Sequence, residues 1–309
     1  MLGATVMTWS GWLRAGRCLA LAAWALGSGL ALADITVVDD RGHTVALKGP
    51  AQRVITLLPS LTESVCALQA CDRLVGTDRY SNWPASVRNL PKLAGLEDTP
   101  IERIVSLKPD VVLAAVSSRA VDRLEALGIR VLALEPKSLQ DTRRMLETVA
   151  TVLGRPGEGE RLWASIEGRV QAVAQGVPAR FKGQAVYFEV ATAPYAAGQA
   201  SFVGEALQRL GLANIVPPAM GAFPKLNPEF VVRAQPGLVM ASVDAVADMR
   251  KRPGWASIQA LQQGRACAFP EAQFDLLVRP GPRLGEATEL VAACLKALPA
   301  PAPASGARP

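Results

Sequence analysis

Residues 101–114 read IERIVSLKPDVVLA, and residues 228–241 read PEFVVRAQPGLVMA. Aligned on Glu102 and Glu229, the two stretches share Val105/Val232, Pro109/Pro236, Val112/Val239 and Ala114/Ala241. Each opens with an acid, continues at helical apolar spacing to a proline, and ends in a short apolar run of strand type. The same helix-strand step written twice in one chain predicts two lobes of similar build.

The flanking sequence repeats that grammar. Asp34 to Lys48 alternates apolar and polar residues around DDRGH, which suits a small β-hairpin. RVITLL follows as a buried strand stopped by Pro59, and Ser60-Leu61-Thr62-Glu63 reads as a capping box opening a helix to about Ala70. RLVGTD, DVVLAAV and IRVLAL read as strands, with helices over IERIVSL and SRAVDRLEALG. Strands alternating with helices predict an α/β lobe with a mostly parallel sheet over 34–138. From 139 to 178 the pattern is helical without a strand, and a long interlobe helix is expected there. Strand grammar restarts at QAVYFEV and runs on through FVGEALQRLG, GLVMASV, ASIQALQQG and ACAF to a last helix near 285–298. Residues 179–298 thus form a second α/β lobe, and a cleft between two lobes is a common setting for small ligands. The tail from 299 to 309, PAPAPASGARP, has no means of packing and is expected to be disordered.

Residues 1–33 carry Arg14 and Arg17, then CLALAAWALGSGLALA ending in Ala31-Leu32-Ala33, the make-up of a secretory signal peptide cleaved before Asp34. Its loss removes two arginines and no acid, so the formal charge falls from +6 to +4. The remaining basic residues are scattered, with no basic stripe or motif for nucleic acid. Four cysteines remain, Cys66, Cys71, Cys267 and Cys294, and in an oxidising compartment they allow three full pairings. A local Cys66–Cys71 bridge is geometrically possible, the alternative being two buried free thiols.

Catalytic signatures are missing. The only histidine, His43, falls in the hairpin, so neither a Ser-His-Asp triad nor a His-rich metal site is available. G-x-S-x-G, H-E-x-x-H, a Walker loop and a dinucleotide G-x-G-x-x-G after a strand are absent from the sequence. The acid pairs Asp39-Asp40 and Glu97-Asp98 are expected at solvated turns. Trp163 and Trp255 are expected to be packing residues. Export, two lobes and this inventory favour binding over catalysis, with no metal and no cofactor.

RVITLLPSLTE (53–63), DRLVGTDRYSNWP (72–84), IERIVSLKPDVVLA, NPEFVVRAQPGLVM (227–240) and RPGPRL (279–284), in this order and spacing, resemble the periplasmic solute-binding proteins of ABC importers for vitamin B12, haem and ferric siderophores. The resemblance covers about 34–298. It implies a periplasmic monomer with two α/β lobes, a rigid interlobe helix, a shallow cleft with little hinge closure, and membrane permease subunits as partners. The match is with the cobalamin-binding branch, which implies cobalamin or a related corrinoid as ligand, with haem or a ferric siderophore as alternatives. By that resemblance Tyr80, Tyr195 and Phe223 take the places of cleft aromatics. Asp275 and Arg279 take those of a polar pair at the ligand's edge. Leu96 and Ala115 stand where that branch has tryptophans. Trp83, beside Tyr80, is a further cleft candidate, and the backbone around Pro59-Ser60 could face an anionic group. The resemblance also gives the echo a meaning: Glu102 and Glu229 become one permease-docking carboxylate per lobe. An exported α/β hydrolase or chelatase is the alternative from another class.

Overall fold

The computed structural model describes residues 1–4, 34–93, 100–192 and 194–299. The expected signal peptide, almost all of the expected tail, Leu96 and the Glu97-Asp98 pair lie outside the described residues. From Asp34 the chain forms β1 (Ile35–Val38) and β2 (Thr44–Leu47), paired antiparallel as the expected hairpin. The N-lobe continues with β3 (Val54–Thr56), α1 (Pro59–Ala67), β4 (Leu74–Asp78) and β5 (Lys92–Leu93). It ends with α2 (Ile101–Ser106), β6 (Val111–Ala114), α3 (Ala120–Ala126) and β7 (Val131–Ala133). Two helices follow, α4 (Leu139–Val152) and α5 (Glu158–Gln175). The C-lobe begins with β8 (Ala185–Ala191), β9 (Tyr195–Ala196), α6 (Phe202–Arg209) and β10 (Ala213–Asn214). It continues with α7 (Pro228–Ala234), β11 (Leu238–Ser242), α8 (Val243–Met249) and α9 (Gln259–Gln262), and closes with β12 (Ala266–Phe269), α10 (Glu271–Leu277) and α11 (Leu284–Ala297).

The echo marks the same place in two sheets. The N-lobe order is β5-β4-β3-β6-β7 and the C-lobe order is β10-β8-β11-β12, with parallel pairing throughout except for the short antiparallel β9 on β8. Thus α2-β6 and α7-β11 each deliver the strand that lies beside the first strand of their parallel sheet, β3 and β8.

Side chains alternate across each strand, so each sheet feeds two cores. Val111 and Leu113 of β6 point one way, Val112 and Ala114 the other; Leu238 and Met240 of β11 separate from Val239 and Ala241 in the same manner. The echoed pairs Val112/Val239 and Ala114/Ala241 face the outer layers, where Ile101 and Ile104 cover the N-lobe and Val231 the C-lobe. The inner faces of both sheets join one cluster with α4 and α5, from Val54 and Val111 through Leu146, Val149, Ile166 and Val170 to Phe188 and Met240.

The interlobe segment is helical as expected, but in two pieces. Gly154 (φ 71°) and Gly157 (φ 83°) turn the chain in the left-handed region that glycine tolerates. The Glu147 carboxylate then caps α5, accepting from the Gly157 and Glu160 amides at 2.7 and 3.1 Å. Gly159 lets α5 lie against α4, since a Cβ there would stand 2.4 Å from the Glu147 backbone.

Both cysteine pairs are bridged, Cys66–Cys71 and Cys267–Cys294, which selects one of the three pairings. Two further expectations fail. The capping box does not form: α1 starts at Pro59 after Leu58, without a side-chain cap. Asp39 and Asp40 are not solvated. Asp39 is buried and bonded to Arg41, the His43 amide and the Ala133 amide, while Asp40 accepts from the Glu135 amide and Arg144. They fasten the hairpin to β7 and α4. Burial alone would raise the Asp39 carboxyl, but the hydrogen bonds from Arg41 and the backbone hold it below its usual range.

Candidate ligand cleft

In parallel sheets the loops beyond the carboxyl ends of the strands are where ligands bind. Pro59 and Ser60 follow β3, Tyr80 and Trp83 follow β4, Ala115 follows β6, and Tyr195 follows β8. Asp275 lies in α10, which follows β12, and Arg279 comes just after it. The expected residues therefore share one end of the molecule by topology.

The Tyr80 loop is built on a buried polar relay. Thr56 on β3 shares a hydrogen bond with Thr62 on α1 (2.6 Å), and Thr62 with Ser81 (2.7 Å). The Ser81 hydroxyl donates to the buried Asp78, which also accepts from the Tyr80 and Ser81 amides at 2.7 and 3.1 Å. Lys92 closes the far side, donating to Thr77 Oγ1, the Ser81 carbonyl and the Val87 carbonyl. Burial pushes the Asp78 carboxyl up and the Lys92 ammonium down, each partly offset by the charge of the other. Above this base Tyr80 is 60 % exposed, with the Arg79 guanidinium 5.8 Å from its ring centroid.

On the C-lobe Tyr195 is 40 % exposed and forms an isolated antiparallel bridge with Lys225, two residues on from Phe223. Phe223 is half-buried and leans on Phe202 at 5.8 Å between ring centroids, so part of it is core. Ala115 is buried at the end of β6 and presents almost no surface.

The polar pair lies in a seam between the lobes. Arg279 donates to Asp275 (2.5 Å) and also across to the N-lobe, to Glu63 Oε1 and Asn82 Oδ1 (both 3.0 Å) and to the Tyr80 carbonyl (3.4 Å). Glu63 is 1 % exposed. Burial pushes its carboxyl up, against the pull of Arg279 and Arg283. Arg283 stands 3.8 Å from Glu63, binds Glu286, and lies 4.6 Å over the Trp83 ring. Gly281 lies against Ser60, whose carbonyl would be 3.6 Å from an added Cβ.

Sequence reasoning missed Glu63, Asn82, Asp78 and Arg283. The signals were a lone acid inside the apolar SLTESV and a second arginine in RPGPRL, both of which have commoner explanations.

Glu102 and Glu229 sit in the first turns of α2 and α7, exposed, and neither forms an ion pair among the described residues. A helix returning to the start of a parallel strand begins near that sheet's carboxyl end, so both glutamates lie at the cleft end of their lobes. Among the described residues no cluster of three or more His, Cys, Asp and Glu side chains could hold a metal ion.

Loops at the carboxyl ends of the strands thus meet across the two lobes, Arg279 of one touching Glu63, Asn82 and Tyr80 of the other. A model of the periplasmic binding protein family matches residues 54–272, and the chain belongs to that family. The chain is 27 % identical over 256 residues to a vitamin B12-binding protein of Vibrio cholerae, covering 80 % of this chain and 90 % of that one. An ABC transporter substrate-binding lipoprotein of Bacillus subtilis is 26 % identical over 269 residues, covering 84 % of each chain. Among solved structures, the periplasmic vitamin B12 binding protein of Vibrio cholerae superposes with a TM-score of 0.66 at 26 % identity, over 80 % of this chain and 98 % of that one. A periplasmic haem-binding protein from a Roseiflexus species gives the same TM-score and identity, over 79 % and 98 %.

Proposed function

We propose that this protein is the periplasmic solute-binding component of an ABC import system, that it captures cobalamin or a related corrinoid, and that it delivers the ligand to a membrane permease. The observation that carries the reading is the pair of exposed tyrosines, Tyr80 and Tyr195, one on the strand-end loops of each lobe. Aromatic faces supply a flat macrocycle with contact area at little entropy cost. Glu102 and Glu229 serve as the docking charges. Placed one per lobe at the cleft end, they fix orientation and speed encounter with a basic permease surface.

Haem is a second reading, favoured by the same two phenols, either of which could serve as an axial ligand, and by the likeness to a haem-binding protein at 26 % identity. Ferric siderophores remain the third candidate in this class. Titration of the purified protein with cyanocobalamin, haemin and a panel of ferric siderophores, read by fluorescence and visible absorbance, separates the readings. Saturable binding of cyanocobalamin alone is expected. A haem spectrum typical of phenolate ligation, without cyanocobalamin binding, would replace the first reading by the second.

A further inference from the structure

We infer that Arg279 is a positioning residue: with Glu63 and Arg283 it forms a clamp by which the C-lobe holds the Tyr80–Trp83 loop of the N-lobe in place. The ligand part of this inference rests on the proposed function; the clamp itself rests on geometry alone. Both terminal guanidinium nitrogens of Arg279 already serve two acceptors each: Glu63 and Asn82 for one, Asp275 and the Tyr80 carbonyl for the other. The Arg279 side chain is 10 % exposed and that of Glu63 2 %, so the pair is sealed and not offered to solvent. A guanidinium so engaged has little left to give an incoming amide or carboxylate, and its planar fork explains why arginine stands here.

Three of the four acceptors belong to the other lobe, and two of them, Asn82 and the Tyr80 carbonyl, flank Ser81, the residue tied from below to Asp78 and Thr62. The loop is thus gripped from beneath by its own lobe and from above by the opposite one. Arg283 extends the grip by covering the Trp83 ring, an interaction of cation with π face. Gly281 between the two arginines rests on Ser60, which brings both guanidinium groups up to α1.

Trp83 reports on the clamp. It is half-buried, whereas Trp163 and Trp255 are 4 % and 0 % exposed, and a Trp83→Phe control isolates its signal from the tryptophans of the first 33 residues. In the purified protein, Arg279→Ala is expected to increase acrylamide quenching of Trp83 and to speed amide exchange at Tyr80–Trp83 by about tenfold, leaving exchange in β8 and β11 unchanged. Cyanocobalamin should bind roughly tenfold more weakly. Arg279→Lys keeps the charge without the fork and should recover only part of each change. It also decides by the same readouts if Arg279→Ala fails to fold. Weaker binding with unaltered quenching and exchange would make Arg279 a direct ligand contact and overturn the clamp, as would no change in any readout. If the wild-type protein binds no cyanocobalamin, the corrinoid reading fails while quenching and exchange still test the clamp.

Discussion

The two lobes share an echoed helix-strand step that sets a parallel strand beside the first strand of each sheet, yet their interiors are secured by different chemistry. The N-lobe carries a relay of neutral hydroxyls ending at Asp78, just beneath the cleft. The C-lobe carries a charged cluster in which Arg252 grips Glu189 through two nitrogens at 2.6 and 2.8 Å. The Tyr187 phenol donates to the same carboxylate at 2.7 Å, and Arg252 lies 4.6 Å over the Trp255 ring. Burial first, and then the neighbouring Glu189, push the Tyr187 phenol far up, so it remains a proton donor. The C-lobe also holds the longer disulfide, from β12 to α11. The repeated frame supplies position, and each lobe secures its own interior with parts peculiar to it, a hydroxyl relay in one and a charged cluster in the other.

Breaking the charged cluster should give the largest effect. Glu189→Ala leaves a largely buried guanidinium without its partner, which costs about 3–5 kcal/mol in comparable buried pairs. Chemical denaturation followed by circular dichroism measures it; a loss no larger than that of an exposed control pair such as Arg209–Glu167 would remove the cluster's role. Next, the two disulfides should differ by loop length. On the chain-entropy relation Cys267→Ser with Cys294→Ser loses ~3.5 kcal/mol, and Cys66→Ser with Cys71→Ser ~2 kcal/mol. Equal losses would point to strain or residual structure in place of loop length.

At the cleft, Tyr80→Ala and Tyr195→Ala should each weaken the ligand by about 1 kcal/mol or more, with little change in stability because both rings are exposed. An unaltered titration for one of them would assign the site to a single lobe. The smallest effect on folding belongs to Glu102→Ala with Glu229→Ala, below ~1 kcal/mol for each loss of a favourable helix-end charge. Ligand affinity should be unchanged while capture by permease-containing vesicles weakens; loss of ligand binding instead would move these residues out of the docking face.

The sheets were legible because parallel strands buried on both faces read as apolar runs, and the echo fixed their places. The aromatics proposed for the cleft entered through family resemblance, not through periodicity. The seam was illegible for a physical reason: Glu63 and Arg279 are far apart in the chain, and each has a local explanation, a helix cap for one and a turn for the other. Only folding makes them partners. Asp39-Asp40 misled in the opposite direction, since an acid pair in a turn is usually wet and here it fastens the hairpin. The split of the interlobe segment was marked by GRPGEGE, whose glycines turn the chain between α4 and α5.

The single inner core that runs from one sheet through α4 and α5 to the other has a mechanical meaning. Swinging the lobes apart would tear apolar surface open to water at about 25 cal/mol for each square ångström, so a wide-open resting state is disfavoured. We predict that the radius of gyration from solution scattering is the same with and without ligand, and a contraction on loading would refute this. A receptor that keeps its shape cannot announce its load by closing. If scattering bears this out, contact with the bound ligand at the cleft mouth is the signal that would be left for the proposed permease to read.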